Sequence, residues 1–456
     1  MGESVMDDEL LRTTTERAIQ YLSGLAERSV NPSPSALERL ADLDAPLPAD
    51  PTPPDQVIEL LDSLGSPATL ATSGGRFFGF VMGGTLPAAL AANWLAGAWD
   101  QVASSTTASP VASALEATAL RWLLDVLRLP PGCAGAFVTG GTMANFTALA
   151  AARHAVLERI GWDVEANGLV GAPPVTVVVG EEVHPSVRKS LGMLGLGRER
   201  AITIPVDEQG RMRVDAIPTI SGPAIVCAQV GNVNTGSFDP LRAICARASE
   251  SGAWVHVDGA FGLWAAVAPA RAHLLDGVAE ADSWSMDAHK WLNVPYDSGL
   301  AFVRDPDPLR QAMAVSAAYL AVGDGRQPRD YTPELSRRAR GVEVWAALLS
   351  LGRGGLADLI ERSCRHAARF AEGLTAAGYE ILNDVVLNQV LVAFGDAPTT
   401  RRVITEIQHD GTCWCGGTVW QGRTAMRVSV SSWSTTDADV ESSLAAMIRI
   451  ARAAER

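Results

Sequence analysis

Lysine is nearly missing from this sequence: among 37 basic residues in 456, only Lys189 and Lys290 carry a primary amine. Arginine supplies the charge everywhere else. Its guanidinium stays protonated, whereas a desolvated lysine can lose its proton and condense with a carbonyl. The scarcity marks the two remaining lysines for work that only an amine can do. Cysteine is sparse too. Cys133, Cys227, Cys245, Cys364, Cys413 and Cys415 are scattered, and the close pair Cys413-Trp-Cys415 has no second cluster to complete a zinc site. No metal is expected, and free thiols suit a reducing compartment. No apolar run reaches the roughly eighteen residues of a membrane span. The first thirty residues, with Asp7, Asp8 and Glu9, lack the basic start and apolar centre of a signal peptide. The formal charge of −14 contains neither a basic block nor an acidic tail, which disfavours nucleic acid or an anionic membrane as a partner. These absences predict a soluble, cytoplasmic protein.

What is present is ample core material, 47% hydrophobic against 19% charged, enough for one large domain and a smaller one. Leu10, Leu11, Ile19, Leu22 and Leu25 recur at helical spacing and predict an amphipathic helix over Asp7–Glu27. Seven prolines between Pro32 and Pro54 predict an extended connection, after which Pro53-Pro54 opens a helix that Gly65 stops. Residues 1–65 thus read as an arm lying on a partner subunit. The glycine-rich, aromatic stretch Arg76–Gly84 suits either a packing device or a pocket wall where backbone approaches a ligand.

From Leu115 onward helices alternate with strands, at Ala136–Thr139, Val175–Val179, Ala201–Ile204, Ala224–Gln229, Trp254–Asp258, Ser283–Met286 and Leu300–Val303. Runs of Val, Ile and Ala without strict alternation are what a mostly parallel sheet covered on both faces requires. Residues 66–310 are therefore expected to form a doubly wound α/β domain with its ligands at the carboxyl ends of strands. After Arg304 the pattern changes. Tyr319–Pro333 is an aperiodic loop; helices follow over Ser336–Leu351 and Leu356–Ala376, then strands near Val390–Phe394 and Met426–Val430 and a closing helix after Thr436. Residues 311–456 read as this loop plus a smaller α+β domain.

Three features gather at predicted strand ends. Phe137-Val-Thr-Gly-Gly-Thr-Met-Ala-Asn145 passes from a strand through Gly140, Gly141 and Thr142 into a helix, which points backbone N–H groups and a helix dipole at one spot, a ready phosphate site. It lacks the Gly-Lys of a nucleotide P-loop and the third glycine of a dinucleotide fingerprint. Trp254-Val-His-Val-Asp-Gly-Ala260 ends a strand in Asp258, a carboxylate that needs a partner once buried. An arginine would serve, and so would a protonated ring nitrogen. Ser283–Met286 leads into Asp287-Ala288-His289-Lys290-Trp291, which sets the rare amine at another strand end. A phosphate turn, an acid and an amine are the three anchors that pyridoxal 5'-phosphate needs.

With these motifs the chain resembles the group II pyridoxal-phosphate-dependent decarboxylases, the family of the glutamate, aromatic amino acid, histidine and tyrosine enzymes, over roughly residues 70–450. The resemblance implies a type I, aspartate-aminotransferase-like fold, a homodimer and a small-molecule amino acid substrate. It also implies that Lys290 forms the Schiff base, Asp258 pairs with the ring nitrogen, Ala260 lies against the ring, and His184 of Glu181-Glu-Val-His-Pro-Ser186 stacks over it. Gly140, Gly141 and Thr142 match the phosphate turn, and His289 the residue before the lysine. Read without the family, His184 is a helix cap before Pro185. The implied reaction releases CO₂ from the substrate, with a loop tyrosine reprotonating Cα, here Tyr331. Two departures stand out. Registered on Ser336-Arg-Arg338, Tyr331 falls out of line with the family's position and Tyr319 lies further off, which leaves oxidative deamination, transamination or an aldol-type reaction open. The run Ser104-Ser-Thr-Thr107 stands where aromatic amino acid decarboxylases tend to be apolar, and implies a polar or small substrate side chain. A catalytically silent cofactor-binding relative is the contrasting class; Lys290, Asp258 and His184 together argue against it.

Overall fold

Seven strands build the large sheet of this computed structural model, which describes residues 8–315 and 325–455. They are β1 (Ala134–Val138), β2 (Thr176–Gly180), β3 (Ile202–Ile204), β4 (Ala224–Gln229), β5 (Trp254–Asp258), β6 (Ser283–Asp287) and β7 (Gly299–Val303). The spatial order is β1-β7-β6-β5-β4-β2-β3. Strands β6, β5, β4, β2 and β3 run parallel, and β7 is antiparallel to both β1 and β6. All seven expected strands form, each within two residues of the bounds read from the sequence. β1, β4, β5, β6 and β7 are buried nearly throughout, which is why their sequences lack an alternating pattern.

The helix Gly141–Glu158 crosses this sheet with alanines at 144, 148, 150, 151, 152 and 155 buried. Small side chains let its backbone approach the strands closely, so its first turn is held rigidly at the sheet edge. On the other face Trp264, Trp284 and Trp291 are fully buried in one apolar cluster.

A second, antiparallel sheet takes the order β10-β11-β9-β8, from β8 (Glu380–Ile381), β9 (Gln389–Ala393), β10 (Gly416–Trp420) and β11 (Arg423–Ser429). β8 and β10 are additions to the sequence reading: one has two residues, the other carries Gly416 and Gly417, and neither shows a strand pattern. The helices Gly341–Ala376, Ala397–Asp410 and Asp437–Ala454 cover this sheet. The first joins the two helices expected over 336–376 and breaks at Gly352, where φ is 58° and ψ −176°.

The helix Asp8–Ser23 buries none of its residues, although Leu11, Ile19 and Leu22 lie on it. The following stretch returns to the small sheet: Phe77 bridges to Trp414 and stacks on it at 5.1 Å, and Ser429 donates its N–H to the Phe78 carbonyl at 2.9 Å. Tyr319 lies outside the described residues. Among those described, no helix is long and apolar enough to cross a membrane.

Candidate active site

Strand pairing at one edge of the large sheet assembles the site. Gly299, the first residue of β7, pairs with Val138 on one side and Asp287 on the other. The Gly140-Gly141-Thr142 turn after β1 and the Asp287-Ala288-His289-Lys290 run after β6 therefore stand next to each other. Glycine is needed for this approach: a Cβ on Gly299 would lie 2.5 Å from the Gly140 Cα, and one on Gly141 would lie 2.8 Å from Asp287 Oδ2. A cleft of ≈ 480 Å³ opens there, lined by Phe80, Thr139, Gly140, Gly141, Thr142, Met143, His184, Ser186, Ala260, Asp287, His289, Lys290 and Tyr296. A slightly larger cavity of ≈ 550 Å³ lies against Asp239, Arg242 and His273. It holds no lysine and no glycine turn, so its size alone does not recommend it.

Lys290 Nζ lies 3.0 Å from Asp287 Oδ2. The other lysine, Lys189, points outward from the helix Pro185–Met193 and is exposed. Asp258 closes β5 and is 4% exposed. Its Oδ2 accepts from Asn145 Nδ2 at 3.2 Å and its Oδ1 from the Ala260 N–H at 3.2 Å. A carboxylate has about four lone-pair sites, so acceptor capacity remains, and Ala260 beside it faces the cleft. Behind the pair, Asn145 Oδ1 accepts from His256 Nε2 at 2.8 Å and from Ser285 Oγ at 2.6 Å. Full burial pushes His256 down to about 4, so the ring is neutral.

His184 does two things. Its Nδ1 accepts from the Ser186 N–H at 3.3 Å, capping the helix Pro185–Met193, while its ring lines the cleft. Burial holds the imidazole below its ordinary value, against the opposing pull of Asp258. His289 Nδ1 accepts the Ser298 N–H at 3.2 Å, which assigns the proton to Nε2, and its ring stacks on Tyr296 at 4.2 Å. Burial also lowers His289.

The stretch Arg76–Gly84 serves as packing at some residues and as wall at others: Phe77 and Phe78 are buried, whereas Phe80 lines the cleft at 60% exposure. Phe80 and Val81 sit in the left-handed region, φ 54° and 60°, a strained pair for bulky residues. Gly83 abuts the lysine segment so tightly that a Cβ would lie 2.0 Å from the Lys290 carbonyl.

Lys290, Asp287, His289, His184, Ala260 and the Gly140–Thr142 turn thus meet around one cleft, with Asp258 directly behind Ala260. Tyr331 is not brought into it. Its ring lies under the Arg326 guanidinium at 4.5 Å and packs near Met143 on the alanine-rich cluster. The Ser104–Thr107 run does not line the cleft either. Its backbone and the Thr106 hydroxyl hold the loop: Thr106 N–H donates to Gln327 Oε1 at 3.1 Å, its hydroxyl to the same oxygen at 3.4 Å, and Arg329 N–H to the Ser104 carbonyl at 2.9 Å.

Four residues of interest were not read from the sequence as site residues. Asn145 was within reach, one helical turn beyond Gly141 and so on the same side of the helix. Asp287 ends the strand before Lys290 as Asp258 ends β5, a parallel that could have flagged it. Tyr296 and Arg427 gave no signal. Arg427 sits on β11 and donates to the Val233 carbonyl at 3.1 Å; burial lowers it to about 10. No carboxylate among the described residues lies within ion-pair distance of it.

A parallel sheet flanked by helices, with an amine, an acid and a phosphate turn at its carboxyl edge, defines a pyridoxal-phosphate enzyme of the type I fold, and the donor set suits that cofactor. Residues 34–395 match the family described as the pyridoxal-dependent decarboxylase conserved domain. The chain belongs to that family and is a pyridoxal-phosphate-dependent amino acid carboxy-lyase. It is 28% identical over 431 residues to tryptophan decarboxylase 1 of Oryza sativa subsp. japonica, covering 86% of this chain and 83% of that one. It is 31% identical over 389 residues to L-2,4-diaminobutyrate decarboxylase of Rhizobium meliloti, covering 80% and 76%, and 29% identical over 360 residues to phenylacetaldehyde synthase of Petunia hybrida, covering 74% and 69%. The crystal structure of Oryza sativa TDC with PLP and tryptamine superposes with a TM-score of 0.90 at 24% identity, over 99% of both chains.

Proposed function

We propose that the protein decarboxylates an L-amino acid with a flat, aromatic side chain. The observation that carries this reading is the pair of rings on the cleft lining, Phe80 and Tyr296, which stand 60% and 55% exposed. Aromatic pairs contribute about 0.5–1.5 kcal/mol beyond the area they bury, so a substrate ring gains there what an aliphatic chain does not.

Bound pyridoxal phosphate supplies a carbonyl for amines and an electron-poor ring that takes up the electron pair left when CO₂ departs. The chain's own residues do the rest. Lys290 offers the amine. Gly140, Gly141 and Thr142 offer backbone N–H groups and a hydroxyl to the phosphate. Asp258, fixed by Asn145 and Ala260, would pair with the ring nitrogen and favour its protonated form. His184 and Ala260, both on the cleft lining, would hold the ring, and His289 orients Tyr296 by stacking. Arg427, a half-buried cation without a carboxylate partner among the described residues, receives the substrate carboxylate, because a buried charge left unpaired favours any anion that reaches it.

We also propose that the active form is a homodimer. Leu11, Ile19, Leu22, Leu37, Leu40, Leu43 and Leu47 of the arm are exposed, Leu47 at 95%, an apolar surface that a second subunit would cover.

A second reading has the carbon left by CO₂ loss oxidised to an aldehyde, with dioxygen as oxidant and ammonia and peroxide as co-products. The placement of Tyr331 away from the cleft favours it. CO₂ release from L-phenylalanine, L-tyrosine, L-tryptophan and L-2,4-diaminobutyrate tests the substrate, and amine against aldehyde tests the outcome. We expect kcat/KM for the aromatic substrates to exceed that for diaminobutyrate at least about tenfold, equivalent to ~1.4 kcal/mol in the transition state. Equal or better turnover of diaminobutyrate would overturn the aromatic assignment.

A further inference from the structure

The larger cavity, of ≈ 550 Å³, is bounded by the helix Leu241–Ser249 and by Asp384 and Val386 in the connection from β8 to β9. Its walls are mostly apolar, with Phe238, Leu241, Leu274 and Val386 among them. Asp239 also lines it and is 7% exposed. The Met212 N–H donates to its Oδ1 and the Gln229 N–H to its Oδ2, both at 2.7 Å. A carboxylate has about four lone-pair sites, so acceptor capacity remains after two bonds. Among the described residues no lysine or arginine stands within ion-pair distance of Asp239. The two arginines on the lining are committed to other acids, Arg211 to Asp207 at 2.7 Å and Arg242 to Asp276 at 2.5 Å and Glu280 at 2.6 Å. Burial outweighs the two N–H donors and pushes Asp239 up to about 6, as it does for a carboxylate whose charge has no counter-ion.

We propose that this cavity is a second binding site, for an arylalkylamine cation of the kind that decarboxylation of an aromatic amino acid releases, and that its occupation slows turnover. The choice of amine rests on the aromatic reading above. The cation donates its N–H to Asp239, and its apolar body meets the walls. The cavity's volume falls within the roughly 300–1,000 Å³ of small-molecule sites. An amino acid fits less well, because its carboxylate brings a second negative charge toward Asp239 and finds both arginines already paired. One residue joins the cavity to the catalytic cleft. Gln229, the donor to Asp239, closes β4 beside Asp258, and its Oε1 accepts from the His184 N–H at 3.1 Å. A cation that draws on the charge of Asp239 weakens its hold on the Gln229 N–H, and Gln229 passes that change to His184, whose ring lines the cleft.

The probe is N,N-dimethylphenethylamine, a tertiary amine that is protonated at neutral pH and cannot condense with the cofactor's aldehyde. Its binding to the holoenzyme is measured by calorimetry, and its effect on turnover with whichever amino acid is decarboxylated fastest. Wild type should bind the probe and lose kcat at saturating substrate with KM unchanged. Asp239→Asn, and Ala246→Trp, which fills the cavity from an exposed position on its lining, should bind it at least about tenfold more weakly, the loss expected with one charge-assisted hydrogen bond or with the space itself. Both variants should keep their kcat in its presence. Should Asp239→Asn not fold, Ala246→Trp decides. Phenethyl alcohol, which lacks the charge, should bind wild type at least about tenfold more weakly than the amine. Equal binding of the alcohol overturns the cation assignment. A raised KM with kcat unchanged places the probe in the catalytic cleft and overturns the inference, as does undiminished binding or inhibition in Ala246→Trp. Turnover of aliphatic amino acids alone would overturn the aromatic reading, and the calorimetric comparison of wild type with Ala246→Trp would still decide the site.

Discussion

Asn145 and Asp258 are joined by one hydrogen bond, 3.2 Å from amide to carboxylate, and that bond ties the acid end of β5 to the helix that begins at the glycine turn. The same amide takes hydrogen bonds from His256 and Ser285 on its other side. The acid is thereby held at a fixed distance from the turn by a buried polar network in which each member has a partner, a condition that makes such networks rigid.

This network predicts a pH dependence. His256 is held at about 4 by burial, below its ordinary 6.5, so the unfolded chain binds its proton more readily than the folded one. The stability it contributes is complete above pH 6.5 and is lost as pH falls toward 4, by about 3 kcal/mol across that window. Urea midpoints of the cofactor-free protein at pH 7.5, 6 and 4.5 should fall accordingly, and His256→Asn should fall less steeply. Parallel curves for the two proteins would show that His256 is not the titrating group.

Lys290 and Lys189 differ in placement, one in the cleft and one on the outer face of a helix. Lys290→Ala should lose the visible absorption of enzyme-bound cofactor and retain no cofactor after borohydride reduction and denaturation. Lys189→Arg should keep both. A reduced label recovered on Lys189 would transfer the amine role to it.

Two phenols now compete for the proton that Cα needs. Tyr296 lines the cleft; its ring is half open to solvent, but desolvation within the cleft, with the Asp287 charge nearby, pushes its phenol up to about 12, so it stays protonated and able to donate through the neutral range. Tyr331 lies beneath Arg326. Tyr296→Phe is expected to shift products from amine toward aldehyde at least about tenfold, a lower bound beneath the ~10²–10⁴-fold by which positioned acids accelerate proton transfer. Tyr331→Phe should lower stability by under about 1 kcal/mol and leave the ratio unchanged. A shift in Tyr331→Phe alone would mean that the loop delivers its tyrosine to a cleft, its own or a partner's.

The arm offers a direct test of assembly. Light scattering of the intact chain should give a dimer mass, and removal of residues 1–65 should give monomer or aggregate with the cofactor band weakened. A monomeric intact chain with full activity would reject the dimer.

Much of this protein was determined by sequence alone, because the relevant signals are local. Parallel strands buried on both faces read as unbroken apolar runs, and a strand that ends in Asp258 or passes through Gly140-Gly141-Thr142 announces its chemistry within a few residues. Lysine scarcity singled out Lys290 without any structure. Tertiary structure decided what depends on register between distant segments. Only the pairing of Gly299 with both Val138 and Asp287 puts a carboxylate against the glycine turn, and no spacing in the chain encodes that. Arg427 lies on the other sheet, and only the fold lets its charge act on the His184 ring. Tyr331, read as a catalytic phenol from its loop, lies under Arg326, in a loop held at Gln327 and Arg329 by the Thr106 N–H and the Ser104 carbonyl. The hydroxyls of Ser104–Thr107 suggested a polar substrate when read in sequence; in the fold that of Thr106 meets Gln327 of the loop and that of Ser105 accepts from the Ala108 N–H, and the cleft is lined by the rings of Phe80 and Tyr296.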